Sequence, residues 1–197
     1  MLKFFNDCKK YRHYILYSAK AELKSEVANS YLNWLWWILE PICFMLIYTF
    51  IVLVVFHTSE QYFSVFVLIG LTVWDFFNKT LKKSIKIIRS NKGVVTKIYI
   101  PKYILILVVM WINNFKMLIS FTLLAIFMLI YRVPFTFTML YFIPLLIILN
   151  IITFAFSSLL THFGVFVDDL ANATDIVLRL MFYLSGIFYS ISNRVAA

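Results

Sequence analysis

The sequence predicts an all-α fold, a polytopic bundle of transmembrane helices, from three observations. Hydrophobic residues make up 63% and charged residues only 14% of the 197 positions, with a mean hydropathy of +0.90, far from the roughly 25% charged composition of soluble domains. Several apolar stretches run for about 16 residues or more, close to the length that crosses a bilayer. The cations are segregated: six Lys/Arg precede Tyr31 and eight lie in 78–102, together 14 of the 18. Such clustering sets topology, because basic segments stay on the cytoplasmic side. The net charge of +9 therefore points to orientation and to membrane lipids, and no nucleic-acid partner is expected.

One membrane domain is expected over residues 1–197, with about five spans. The opening Met1-Leu2-Lys3 leads into a polar, charged segment without the apolar core of a signal peptide, so no cleaved leader is expected. In residues 1–31, Tyr11, Ile15, Ala19, Leu23 and Val27 recur every fourth position while lysines and glutamates take the other faces. That pattern predicts an amphipathic helix along the inner interface. Span one, 32–56, carries Pro41, which membrane helices tolerate where neighbours satisfy the freed carbonyl. Span two, 62–77, follows a short outer loop devoid of Lys and Arg.

The cytoplasmic segment 78–102 carries a stripe of Leu81, Ile85 and Ile88 among Lys79, Lys82, Lys83, Lys86 and Arg89, and Asn91-Lys92-Gly93 supplies a helix stop. A basic amphipathic helix of this kind suits a lipid surface with anionic headgroups, or a docking face for a cytoplasmic subunit. Span three, 103–131, is long enough to cross with tilt. Span four, 139–163, follows the turn signal Val133-Pro134, and span five covers 176–191 after a loop at 164–175. Alternation from a cytoplasmic N-terminus then leaves the end of span five outside. Aromatic residues, Trp34, Trp36 and Trp37 at one interface and Phe135, Phe137 and Tyr141 at the other, form anchoring belts or stack on the sugar faces of a passing substrate.

Polar groups inside spans are costly and mark function or mutual pairing. Asn113, Lys116 and Ser120 fall three and four apart on one helical face, and Glu40, Asp75, Asn150 and Arg179 interrupt the other spans. Either these groups pair with one another, or the Lys116 face lines a polar route for an anionic substrate group. Cys8 and Cys43 lie in a basic segment and in an apolar span, which disfavours a disulfide. The chain has four glycines and no G-x-x-x-x-G-K-[ST] loop to cradle phosphates. Its three histidines are isolated and no metal-ligand spacing occurs. No catalytic residue and no metal site is assigned.

Five stretches in order carry a resemblance: SYLNWLWWILEP (30–41) followed by FMLIYTF, FVLIGLTVWDFFN (66–78), KIYIP (97–101), HFGVFVDDL (162–170) and YLSGIFYSIS (183–192). With them the chain resembles the permease subunits of ABC-type polysaccharide exporters, which move lipid-linked O-antigen, capsule or teichoic-acid chains across the bacterial plasma membrane. The resemblance implies a transport subunit that works as a homodimer, with undecaprenyl-linked polysaccharide as cargo. No cofactor is implied in this chain, ATP and Mg being bound by a separate ATPase subunit. It further implies that Lys79, Lys82, Lys83, Lys86, Arg89, Asn91 and Lys97, with Asp168 and Asp169, face the ATPase. Glu40, Asn113, Lys116, Ser120, Tyr183 and Tyr189 are the candidates for the substrate path.

Two positions depart from the family pattern: Asp168-Asp169 stands where many relatives have Arg-Asp, and Gly186 where many have proline. Family members also continue through outer segments and a sixth span, so this sequence is expected to hold about five of six, as a truncated or partial subunit. A permease of the same architecture for a drug or another lipid, or an inactive truncated subunit, remains the alternative.

Overall fold

A computed structural model describes residues 2–28, 33–52, 62–134 and 136–187. The order of α-helices is α1 (Leu2–Lys10), α2 (Arg12–Ala28), α3 (Asn33–Phe50), α4 (Phe63–Ser90), α5 (Lys92–Val95), α6 (Lys102–Ile130), α7 (Phe142–Phe163) and α8 (Leu170–Leu184), with a 3-10 turn at Phe137–Tyr141 before α7. There is no strand among the described residues. The fold is an all-α bundle in which Phe63–Ser90, Lys102–Ile130 and Met139–Phe163 are long and apolar enough to cross a membrane, and Trp34–Phe50 is a shorter apolar helix.

The central element is α4, which packs on α3, α6, α7 and α8. Its 28 residues extend about 42 Å at 1.5 Å per residue, longer than a hydrocarbon core of about 30 Å. The sequence pattern separates span two from a basic segment at 77, whereas the helix runs unbroken to Ser90. No proline or glycine interrupts 71–90, and the buried face continues across the charged stretch through Thr80, Leu81, Ser84, Ile85 and Ile87. Thr80 and Ser84 satisfy their hydroxyls on the carbonyls of Phe76 and Thr80, at 2.6 and 2.7 Å. Small, internally satisfied side chains let neighbouring helices approach, and Thr161 of α7 donates to the Ser84 carbonyl at 3.0 Å. Gly164 marks the closest approach: a Cβ there would stand 2.5 Å from the Ile85 carbonyl oxygen. At Asn91 the helix ends, both its backbone N–H and its side-chain amide closing on the Ile87 carbonyl.

The N-terminal stripe faces protein. A turn at Tyr11 separates α1 from α2, and Ala19, fully buried, packs with Val108 and Ile112 of α6 between Ile15 and Leu23. Tyr103 donates to Asp7 and Lys83 pairs with Glu22, so polar ties flank the same contact. The first half of α6 is consequently enclosed from Ile104 to Asn113, Trp111 apart, while Leu118, Ile126, Leu129 and Ile130 in its second half are exposed. Nearly bare is α7, with Ile143, Ile147, Ile151 and Leu159 exposed. Apolar surface on this scale is stable only against lipid or another apolar surface.

Two helix ends use left-handed residues. Arg132 (φ 51°) closes α6, with Val133 N–H on Met128 O and Arg132 N–H on Leu129 O, the bonding of a Schellman cap with arginine in the place glycine favours. Gly186 has φ 72° beyond the end of α8. Proline, fixed near −65°, cannot enter that region, which gives the glycine a local reason. The helix begins at Leu170, ahead of the expected start of span five at 176, and its added turn brings Asp175 to Lys82 at 2.9 Å.

Candidate functional site

A cleft of about 570 Å³ opens between α2, α3, α4, α6 and α8, within the size range of small-molecule sites of roughly 300–1,000 Å³. Its walls combine charge and aromatic rings, which an apolar bundle does not need for packing alone. From α3 come Glu40, one turn inside the helix relative to the Trp36 and Trp37 rings, and then Phe44 and Tyr48; from α4 come Trp74, Asp75, Asn78 and Lys79; from α8 come Arg179, Phe182 and Tyr183. Asn113, Lys116 and Ser120 form the α6 wall, as their spacing requires of one helical face. Five of the six residues proposed for a substrate path therefore line one space. Tyr189 lies outside the described residues.

The charges in the cleft are organised in pairs. The Lys79 ammonium bridges Asp75 at 2.8 Å and Glu40 at 3.0 Å, joining successive turns of α4 to α3. Lys116 pairs with Glu26 of α2 at 2.7 Å and stands 5.2 Å from the centre of the Trp37 ring. A half-buried ammonium thus has both a carboxylate and a π face, two sources of stabilisation for a cation away from bulk water. Lys82 is held by Asp175. Asn113, buried, donates to Thr80 Oγ1 at 2.9 Å and ties α6 to α4 beside the cleft. One layer away, Asn114 donates to Asn150 Oδ1 at 2.8 Å.

Aromatic rings form the apolar side. Trp74 meets Phe182 at 5.5 Å between ring centres, Phe182 meets Tyr48 at 6.3 Å, and Phe44 stacks on Tyr48 at 6.3 Å. Such a wall accepts an apolar chain or the apolar face of a sugar ring.

The chain matches known proteins over most of its length. It is 26% identical over 170 residues to the O-antigen export system permease protein RfbA of Klebsiella pneumoniae, covering 86% of this chain and 66% of that protein. It is 24% identical over 193 residues to the protein of the same name from Myxococcus xanthus, covering 98% of this chain and 74% of that protein. The chain is similar to O-antigen export permeases. This supports the resemblance carried by the five sequence motifs. The chain spans about two thirds of the length of the Klebsiella pneumoniae relative. No protein-family model matches it.

The remaining candidates, a single set in the sequence, divide along α4. Lys79, Lys82 and Lys83 are engaged in ion pairs within the bundle, with Asp75 and Glu40, Asp175 and Glu22 respectively. Lys86, Arg89 and Lys97 are exposed at the basic end, and Asn91 is half-buried there. Arg89 pairs with Asp168 and donates to the Val165 carbonyl at 3.4 Å. That contact brings the segment after α7, including exposed Asp169, beside the end of α4. Ile98, Tyr99 and Phe166 are exposed nearby, at 59%, 87% and 75%, so this end presents apolar as well as charged groups.

Sequence reasoning did not single out Glu26 or Asp175 as members of the site. Glu26 lies on a helix read as interfacial, and only the parallel run of α2 along α6 brings it to Lys116. The i, i+4 spacing of Asp75 and Lys79 was a usable signal for their pair. Among the described residues no group of His, Cys, Asp and Glu is arranged to hold a metal ion.

Proposed function

We propose that this chain is the membrane-spanning permease subunit of an ATP-driven exporter that moves lipid-linked polysaccharide across the bacterial plasma membrane. The observation that carries this reading is the cleft: a charged and aromatic space inside an apolar bundle, in a chain similar to O-antigen export permeases. A lipid-linked glycan is amphiphilic, and a space with paired charges on one side and rings on the other accommodates both of its parts. The sequence holds no phosphate-binding loop, so nucleotide hydrolysis is assigned to a separate ATPase subunit.

In this reading the ATPase docks on the basic end, in the cytoplasm, where Lys86, Arg89, Asn91, Lys97, Asp168 and Asp169 cluster. Lys79, Lys82 and Lys83 act one step away, holding α4 to α2, α3 and α8 so that a push on the end of α4 reaches the cleft. A second copy of the chain closes the conduit, and the bare face of α7 offers apolar surface for that copy or for lipid. The reading is tested by deleting the gene and analysing lipids. Undecaprenyl-linked polymer should accumulate on the cytoplasmic side while surface glycan falls. Unchanged surface glycan without accumulation would overturn the assignment.

A further inference from the structure

A second space lies apart from the cleft, between α1, α6 and α7 at the basic end of the bundle, with a volume of about 320 Å³. That is at the small end of ligand-sized sites, roughly 300–1,000 Å³. Asn114 and Asn150 join α6 to α7 about three turns in from Lys102 and Phe163, and the groove occupies the stretch between that contact and the helix ends. There α1 enters: the Phe4 ring meets Tyr103 at 5.3 Å and Phe154 at 5.8 Å between centres. With Ile106 these rings make an apolar floor.

The polar groups of the groove fall into two sets. One set is spent within the fold: Tyr103 donates to Asp7, Ser158 to the Phe154 carbonyl at 2.8 Å, and Thr161 to the Ser84 carbonyl at 3.0 Å. The other set is Lys102 and His162, both exposed, at the start of α6 and the end of α7. Neither side chain makes a hydrogen bond or ion pair among the described residues. His162 is instead set by rings, with Phe163 at 5.3 Å and Phe166 at 5.8 Å. A lone lysine at a helix end is ordinarily solvated. Here it shares the edge of an apolar groove with a second nitrogen donor, and the acid of this corner, Asp7, is already taken by Tyr103.

The groove also opens towards lipid. On α7, Ile151, Ala155, Ser158 and His162 stand at i, i+4, i+7 and i+11, one helical stripe, and Ile151, Ala155 and His162 are exposed. Its edge is therefore continuous with the bare face of α7, which needs an apolar neighbour. A free inorganic anion would find donors but nothing to cover the rings. A zwitterionic headgroup would bring its own ammonium towards Lys102. Anionic headgroups are drawn to basic segments on the cytoplasmic side, the side to which the positive-inside bias assigns this end.

We propose that this groove holds one anionic phospholipid, its phosphate on Lys102 and His162 and the start of one acyl chain on Phe4, Ile106 and Phe154. Seated there, the lipid ties α1 to the ends of α6 and α7. The inference does not rest on the exporter reading.

The test uses the full chain in nanodiscs of dioleoyl phosphatidylcholine. A phosphatidylglycerol or a phosphatidylcholine probe, each with a diazirine near the carboxyl end of one acyl chain, is added at equal mole fraction. Adducts are mapped by mass spectrometry, with labelling at Ile143 and Ile147, exposed on the outer half of α7, as the internal standard. The expected result is that the phosphatidylglycerol probe labels the segments around Phe4, Ile106 and Phe154 roughly fivefold more than the phosphatidylcholine probe, the weight of one lysine at an anionic surface. Combining K102Q with H162F, which keeps a ring against Phe163 and Phe166, should bring that ratio towards one, while K102R holds it. Equal labelling by the two probes in the unaltered chain, or a ratio that survives K102Q with H162F, overturns the proposal. So does displacement by unlabelled farnesyl phosphate that is more complete than by unlabelled phosphatidylglycerol at the same mole fraction, which would give the groove to an isoprenoid.

Discussion

Lys116 and Glu26 make the most informative pair to perturb, since they join α6 to α2 at the cleft. Their side chains are 22% and 28% exposed and 2.7 Å apart. At that separation the Coulomb attraction is about 6 kcal/mol for an effective dielectric of roughly 20, most of it offset by desolvation. Exposed pairs yield about 0–1 kcal/mol, while removing one partner of a buried pair costs about 3–5 kcal/mol. A pair about one quarter exposed falls between these, so a coupling energy of about 1–2 kcal/mol is expected. Lys116→Met also removes the contact with the Trp37 ring, worth about 0.5–2 kcal/mol, and should cost more than Glu26→Gln.

The assay is a double-mutant cycle on K116M, E26Q and the double variant, read by denaturant unfolding in micelles. Hydrogen exchange across 12–28 serves as a local readout. Both single variants should speed exchange in α2. A coupling energy below about 0.5 kcal/mol, with exchange in α2 unchanged, would refute the view that this pair fastens the N-terminal helix to the cleft.

Other substitutions probe separate contacts. Asn113→Leu removes the donor to Thr80 and should cost about 0.6–1.5 kcal/mol in the same unfolding assay, the range of interhelical hydrogen bonds in membranes and in cores. Arg132→Gly relieves a left-handed arginine at the cap of α6 and should stabilise by about 1 kcal/mol, raising Tm by about 2–4 °C. Cys8 in α1 has its thiol pushed above the ordinary value of 9.0, first by burial and then by the neighbouring Asp7 charge. In a Cys43→Ser background, maleimide labelling of Cys8 should therefore rise only at pH above 9.0. The sign for stability follows: the folded state favours the neutral thiol, so its contribution is complete below the unfolded value and is lost as pH climbs through the folded one.

The fold class was legible because composition leaves no alternative to lipid for so much apolar surface. The site was legible in part. Asn113, Lys116 and Ser120 share a face by spacing alone, and helical geometry then puts them on one wall wherever α6 packs. Their partners were not legible. A stripe every fourth residue reads the same whether it meets lipid headgroups or another helix, so the docking of Ala19 on Val108 and Ile112 could not be foreseen. For the same reason Glu26 was not connected to Lys116. The continuity of α4 was hidden by the switch from apolar to basic residues at 78, although no helix breaker stands there. Gly186 needed a backbone angle to explain it. Arg179 stood out as a charge in a span, but its place on the wall of the cleft became visible only once α8 was packed on α4.

The central claim is that cargo passes through the cleft, and site-specific crosslinking tests it most directly. Tyr183→benzoylphenylalanine, placed on the α8 wall, would be irradiated in cells making surface polysaccharide, and the chain analysed for a covalently attached isoprenoid-linked glycan. The expected result is a sugar-bearing adduct at position 183 that is absent when the photoreactive group replaces Ile151, exposed on the bare face of α7. Efficient crosslinking to phospholipid alone at 183, with no sugar-bearing product while export proceeds, would contradict it.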